Sequence, residues 1–113
     1  MTISRELVAA SATPLVLSIL AQGESYGYAI IQQVRELSGG EMQWTDGMLY
    51  PVLHRLERQR MVRSRWGRSQ VGRKRKYYRL TRKGLTALRR SHSQWMLVHA
   101  TLSKAWEDAP CLT

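Results

Sequence analysis

The chain has 113 residues, a formal net charge of +10 and a single cysteine, Cys111. This length predicts one compact domain with a modest core. A lone cysteine excludes a disulfide within the chain and fits a reducing cytosol. No apolar run reaches the length of about 18 residues that a membrane span needs. The apolar stretch near the N-terminus is broken by Ser, Thr and Pro, unlike a signal peptide.

The positive charge is concentrated in one segment. Residues 1–57 hold three basic and six acidic side chains, and residues 91–113 hold one basic and two acidic ones. Residues 58–90 hold fourteen Lys and Arg and no acid. Such segregation predicts a surface for a polyanion, foremost double-stranded DNA. A membrane surface or a merely solvated face are the alternatives, but solubility alone needs no segregation.

The first part of the chain has the apolar spacing of helices. Pro14 follows Thr13, which predicts a helix that begins there with Thr13 as N-cap. Residues 5–12 would then form a separate short helix or a fraying arm. A second helix is predicted over residues 26–38, with Ser25 as its N-cap.

A third helix is predicted over residues 45–60, with Thr45 or Asp46 as its cap and an apolar stripe of leucines. The other face carries hydroxyl, ring and cationic side chains, the groups that contact phosphates and base edges in protein–DNA complexes. These candidate DNA-binding residues are Thr45, Met48, Tyr50, His54, Arg55 and Arg58. Gly47 leaves room for the backbone to approach DNA. The alternative is a plain core helix in which Tyr50 is half-buried packing.

The hydrophobic period changes after residue 60. Residues 62–68 alternate, with Val62, Ser64 and Trp66 on a predicted apolar face, and a second strand is predicted over residues 74–80. A basic turn joins the strands, and its cations either follow the DNA backbone, enter a minor groove or attract DNA diffusely. These cations are Arg68, Arg73, Lys74, Arg75 and Lys76.

Three helices followed by a β-hairpin predict a mainly α winged helix-turn-helix over residues 1–81, with its wing at about 62–80. Thr81 then caps a last helix, in which apolar and polar side chains form a heptad seam. The seam residues are Leu85, Leu88, His92, Trp95, His99, Leu102 and Trp106. A helix of about 26 residues spans about 39 Å, which is long for so small a domain. Residues 82–109 are therefore predicted to form a dimerisation helix, the alternative being a helix folded back on its own core.

The residues predict neither an enzyme nor a cofactor. The sequence contains no Gly-rich phosphate loop and no carboxylates paired in helical register. His92 and His99 share a helix face but lie about 10 Å apart along it, which is too far for one metal ion unless a partner chain contributes a ligand. We therefore interpret both histidines as polar seam residues and expect no metal site.

Three segments together resemble the PadR family of bacterial transcriptional regulators. They are SYGYAIIQQV at 25–34, GMLYPVLHRLE at 47–57 and GRKRKYYRLTRKG at 72–84, which are similar to the family's second helix, recognition helix and wing. The resemblance covers about residues 8–107. It implies a cytoplasmic homodimer, joined through the C-terminal helix, that represses transcription at a palindromic operator. It also implies DNA contacts from Tyr28, Tyr50 and the wing arginines.

The single C-terminal helix resembles the small subclass of this family, in which some members bind flat aromatic compounds in a pore between the two protomers. By this resemblance Trp95 faces its symmetry mate in the pore, although ordinary packing in the seam is the alternative. The other pore residues would be Ala10, Thr13, Ser91 and His99. Met48 replaces the usual Thr, and His99 stands where an acid would help to bind cations. A winged-helix module for protein or RNA, without specific DNA readout, is the competing interpretation.

Overall fold

The computed structural model describes residues 2–112 and contains four α-helices, three strands and a short 3₁₀ helix in that range. In chain order these are α1 (Arg5–Ala21), β1 (Ser25–Tyr26), α2 (Gly27–Leu37), α3 (Asp46–Arg58), β2 (Val62–Arg68), β3 (Lys74–Leu80), α4 (Arg82–Glu107) and the 3₁₀ helix (Pro110–Leu112). The first three helices and the sheet form a winged helix-turn-helix from which α4 extends. The predicted fold class is confirmed.

Helix α1 is one helix and not two. It begins after Ser4, whose Oγ accepts a hydrogen bond from the Leu7 N–H at 3.2 Å, and it continues through Pro14. The predicted helix start at Thr13 is therefore wrong. Pro14 removes one intrahelical hydrogen bond. However, Ala12 before it and the apolar residues after it are buried in the same core, and this packing outweighs the lost bond.

The wing belongs to a three-stranded antiparallel sheet in the order β1-β3-β2, and not to an isolated hairpin. Ser25 pairs with Tyr78 and Tyr26 pairs with Tyr77. The prediction of Ser25 as an N-cap is wrong, because its backbone is used by the sheet and α2 begins only at Gly27. The short strand β1 thus ties the start of α2 to the wing.

Helix α3 packs against the core through Leu49, Leu53 and Leu56, which are all fully buried, as predicted. Its N-cap residue is Thr45, although the Thr45 side chain makes no capping hydrogen bond in the described structure. Helix α3 ends at Arg58, and Arg60 adopts a positive φ of 62° at the turn into β2. The helix therefore lies with one side in the core and the rest of its circumference available for other contacts.

Helix α4 begins at Arg82 with the predicted cap and ends at Glu107, within the predicted segment 82–109. The Thr81 Oγ accepts a hydrogen bond from the Gly84 N–H at 3.1 Å and donates one to the Arg60 carbonyl at 2.7 Å. Leu88 packs against the domain's own core, whereas nearly every residue beyond Ser91 is exposed. The distal half of α4 therefore extends beyond the domain that holds its first turns.

Gly84 permits the close contact between the start of α4 and the turn before β2. A Cβ at this position would overlap the Met61 carbonyl oxygen and lie 2.7 Å from Leu80 Cδ1. We expect Gly84→Ala to lower the free energy of unfolding by about 1–3 kcal/mol, measured by urea denaturation. Gly47→Ala is the matched control, since a Cβ there meets only Thr45 Oγ1 at 3.7 Å. Equal destabilisation by both variants would contradict this prediction.

Tyr78 makes folding stability sensitive to alkaline pH. Its side chain is buried, its hydroxyl has no hydrogen-bond partner among residues 2–112, and burial together with the charge of Glu57 raises its pKa to about 12. The unfolded chain ionises this group near pH 10, so the stability present below about pH 10 falls as pH rises towards 12. The loss for two pKa units is about 3 kcal/mol. Denaturation midpoints between pH 9 and 12 should fall less in Tyr78→Phe, and parallel curves would contradict this assignment.

Candidate nucleic-acid interface

Helix α3 has two solvent-facing flanks beside its buried leucines. One flank carries Tyr50 and His54, whose ring centroids lie 6.2 Å apart, and it faces the wing. The other flank carries Met48 and Arg55, and it faces α1 and the loop that precedes α3. Arg55 also donates a hydrogen bond to the Thr13 hydroxyl of α1. The residues that the sequence grouped on one DNA-reading face therefore lie on two.

Tyr50 is positioned by a glycine. A Cβ at Gly27 would lie 2.5 Å from the Tyr50 phenol oxygen, so the ring rests against the start of α2. Tyr50 nevertheless keeps 36% of its surface exposed, and Tyr28 next to Gly27 keeps 66%. Half-buried packing and contact with a ligand are thus compatible for Tyr50, because packing holds one edge of the ring and leaves the other in solvent.

A groove of about 570 Å³ lies between α3 and the wing, and we call it the wing groove. Aromatic rings from the helices and the strands line it together with cations of the wing. Its lining residues are Tyr26, Gly27, Tyr28, Tyr50, His54, Trp66, Arg73, Lys74, Arg75, Lys76 and Tyr78. The structure therefore brings most of the predicted wing cations together with the ring-bearing flank of α3.

Trp66 is a candidate DNA-contact residue, although the alternation of β2 predicted it on an apolar face. The side chain is 61% exposed, and the Nζ atoms of Lys74 and Lys76 lie 4.9 and 6.0 Å from its ring centroid. The predicted apolar face of β2 is buried at Val62 but exposed at Trp66, so the alternation does not mark a continuous buried face. The sequence did contain a signal for a role of Trp66 beside the wing cations, since a hairpin that turns around Gly72 pairs Trp66 with Lys76.

The wing cations differ in how firmly they are held. The Arg75 guanidinium lies 3.9 Å from the Tyr26 ring centroid, and Arg68 Nη1 donates to the Gly72 carbonyl at 3.0 Å within the turn. Arg73 and Lys74 are exposed. Arg68 and Arg75 thus contact other parts of the wing and its base, while Arg73 is exposed and Lys74 is exposed beside the Trp66 ring.

One arginine of the basic segment has a structural partner outside it. Arg65 Nε donates a hydrogen bond to Glu24 Oε2 at 2.9 Å, and this hydrogen bond lowers the pKa of the Glu24 carboxyl. The pair joins β2 to the turn between α1 and β1. On the remaining part of α3, Thr45 and Arg58 are exposed at its two ends.

The residues predicted for a ligand pore and a dimer seam lie on α1 and α4, which pack against each other. Ala10 is exposed, whereas Thr13 and Ser91 are half-buried. Trp95 is 38% exposed. Leu85 and Leu88 are half-buried near the domain, and the other seam residues are exposed along the distal part of α4: His92, His99, Leu102 and Trp106.

Two further features bear on the site. No helix among residues 2–112 is both long and apolar enough to cross a bilayer. Within the same range, no three His, Cys, Asp or Glu side chains come together as a metal-binding group.

Comparison with known proteins identifies the family. The sequence profile of the transcriptional regulator PadR-like family matches residues 16–90, from the middle of α1 through the wing and into α4. The chain belongs to the PadR-like family. Its members are transcriptional regulators and not enzymes, so this protein is a DNA-binding transcriptional regulator.

Solved structures of PadR-like proteins share the whole architecture. A transcriptional regulator from Clostridium thermocellum superposes with a TM-score of 0.82 at 27% identity, covering 91% of this chain and 97% of the other. A PadR family regulator from Eggerthella lenta gives a TM-score of 0.78 at 33% identity, covering 91% and 88%. An uncharacterised protein from Lysinibacillus sphaericus is 31% identical over 81 residues, which cover 72% of this chain and 74% of that protein.

Proposed function

We propose that this PadR-like protein is a homodimeric repressor that binds a palindromic operator in the cytoplasm. The main support for this proposal is the wing groove, because the aromatic side chains of α3 and the cations of the wing line the same groove. In such a complex α3 enters the major groove and the wing follows the adjacent backbone. The two half-sites lie about one helical turn apart, roughly 34–36 Å.

Dimerisation through α4 is supported by the apolar surface that its distal half exposes. Leu102 is 42% exposed and Trp106 is 51% exposed, and they lie about one helical turn apart on the predicted seam, in the exposed part of α4 beyond Ser91. Single-chain proteins in water rarely expose a continuous apolar surface of this kind without a partner. A second copy would cover it and set the spacing of two recognition helices.

A gel-shift assay with DNA from upstream of the protein's own coding sequence tests the proposed function. We expect a complex that survives an excess of random duplex, and a fall in expression of a reporter placed behind the same DNA. A complex that random duplex removes at equal concentration would favour the alternative, a winged-helix module that binds protein or RNA. That alternative is supported by the same exposed wing cations, which attract any polyanion.

We also propose that a planar aromatic effector enters between the two Trp95 side chains of the dimer, in a pore lined by Ala10, Thr13, Ser91 and His99. Such a ligand releases DNA only if it binds better to one spacing of the recognition helices than to the other. Trp95 keeps enough exposed ring for stacking in the free chain.

Tryptophan fluorescence tests the pore directly. A neutral planar aromatic dye should quench the fluorescence of the wild-type protein, and Trp95→Ala should lose that quenching because the stacking partner is removed. Trp66→Ala is the matched control, since Trp66 lies in the wing groove and not on α4. Quenching that persists unchanged in Trp95→Ala would contradict the pore.

A further inference from the structure

The basic segment holds more cations than the turn end of the hairpin. Five of its fourteen Lys and Arg lie at that end and were described above with the wing. Five others lie at the opposite end, where β2 begins, β3 ends and α4 starts. We call these five exposed residues the base cluster: Arg60, Arg63, Arg79, Arg82 and Lys83. All of them except Arg79 line one open cavity of about 670 Å³.

The charge of the base cluster is not neutralised within the chain. Among residues 2–112 the acids near the sheet form ion pairs with other cations, Glu24 with Arg65 and Glu57 with Lys76. Glu57 lines the same cavity, but its carboxylate also accepts a hydrogen bond from the Ser64 hydroxyl. The cavity therefore keeps a strong excess of positive charge.

The local structure opposes this choice of residues in three ways. Arg63 lies directly opposite Arg79 on the paired strands, and like charges in that position are destabilising. Arg82 and Lys83 occupy the first turn of α4 without an acid, although a helix N-terminus disfavours cations. Arg60 has a φ of 62° just beyond the end of α3, where glycine is the usual residue. Such local conflicts concentrate at functional sites, and a bound anion would relieve the two that arise from charge.

The base cluster is separate from the wing groove. Arg63 pairs with Arg79 five positions before Arg68, the last residue of β2, which corresponds to about 17 Å along the strand. Because side chains alternate, Arg63 and Arg79 lie on the sheet face opposite to Trp66 and Lys76, which line the wing groove. A duplex bound in the wing groove would therefore leave the base cluster open.

The chemistry of the base cluster fits a nucleic-acid backbone better than a protein partner. Protein interfaces are anchored by apolar or aromatic side chains at their centre. Here Val62 is the one apolar residue that lines the cavity among residues 2–112, and it is 1% exposed. The other lining groups are cations, the hydroxyls of Ser64 and Thr81 and the start of α4, which are the groups that bind phosphates.

We propose that the base cluster binds the phosphate backbone of a second DNA duplex, so that the protein bridges its operator to another DNA segment. This bridge rests on the proposed binding of the operator in the wing groove, but it does not require the homodimer. The second duplex is bound without regard to sequence, because no recognition helix faces it. Five cations can neutralise up to about five phosphates, which gives a slope of log K against log salt of about −4 to −5 for this duplex.

A two-duplex capture assay tests the bridge. DNA from upstream of the protein's own coding sequence is fixed to beads, loaded with full-length protein and washed, and a fluorescent duplex of random sequence is added. We expect the wild-type protein to retain the random duplex. Arg63→Gln with Lys83→Gln should retain about tenfold less of it, while affinity for the bead DNA stays within about twofold. Arg63→Lys with Lys83→Arg is the matched control, because it keeps both charges and should keep the capture.

The outcomes separate the bridge from operator binding. Wild-type protein that binds the beads but retains no random duplex would overturn the bridge and leave the proposed function intact. Equal losses of bead binding and of capture in the neutral variant would also overturn it, since the base cluster would then belong to the operator surface. Absence of binding to the bead DNA would overturn the proposed function and the bridge together.

Stability measurements distinguish a binding site from a structural cluster. Arg60→Gly relieves the positive φ and should raise the urea midpoint, whereas the lost cation should reduce capture of the random duplex. A gain in stability together with a loss of capture is the expected sign of a residue that serves binding. An Arg60→Gly variant that is less stable than the wild type and captures the duplex normally would overturn the assignment of Arg60 to the site.

Discussion

Replacing Tyr50 by alanine is expected to weaken operator binding about 10- to 100-fold while lowering the free energy of unfolding by no more than about 1 kcal/mol. The ring rests against Gly27 along one edge, so truncation removes a small contact area within the protein. Its exposed edge faces the wing groove, where a base or sugar would lie. Binding isotherms and urea denaturation of the same variant give both free energies, and equal losses would show that Tyr50 is only a packing residue.

Two companion variants separate the contact from its support. Tyr50→Phe keeps the ring against Gly27 and removes only the hydroxyl, so any loss of affinity reports a hydrogen bond to DNA. Gly27→Ala keeps Tyr50 but introduces a Cβ that would lie 2.5 Å from its phenol oxygen, which forces the ring to move. If DNA affinity is unchanged in Gly27→Ala, the orientation of the ring does not matter for binding.

The elements that the sequence predicts well are those whose own periodicity is long enough to define them. The 26 residues of α4, the leucine stripe of α3 and the paired strands around Gly72 each carry several repeats of one period. The two-residue strand β1 has no period to detect. The continuous helix α1 depends on burial on both sides of Pro14, and that burial arises only when the other helices are in place.

The sequence predicted which residues of α3 and the wing belong to the candidate site, but not how they are arranged around α3. Helical geometry alone places Met48 and Arg55 about half a turn away from Tyr50. Which flank meets α1 and which meets the wing depends on tertiary packing, and so does the exposure of Trp66 at the end of β2. Residue type and spacing therefore predicted the candidate DNA-binding residues, while their division between two flanks of α3 required the fold.

Binding to the operator is expected to weaken steeply as salt rises. A dimer that neutralises about 6–10 phosphates loses about 10³- to 10⁵-fold in affinity between 50 and 200 mM salt, because each contact releases condensed counterions. Two copies of the wing can supply that number of contacts, because each copy carries the five cations Arg68, Arg73, Lys74, Arg75 and Lys76. Fluorescence anisotropy over this salt range measures the slope, and an affinity that barely changes would exclude the wing as the main source of binding energy.

The structure also predicts which cations set that slope. Arg73 and Lys74 are exposed, so replacing both by alanine in each protomer takes away up to four phosphate contacts. The negative slope of log K against log salt should become less steep by up to about 3–4. Arg35→Ala, on α2 outside the basic segment, should leave the slope unchanged. Arg75 differs from Lys74, whose Nζ lies over the exposed Trp66 ring of the wing itself. The Arg75 guanidinium lies over the Tyr26 ring, and that ring joins the wing to α2. Arg75→Ala should therefore reduce affinity mainly by loosening the wing, with a smaller change in slope than the exposed pair produces.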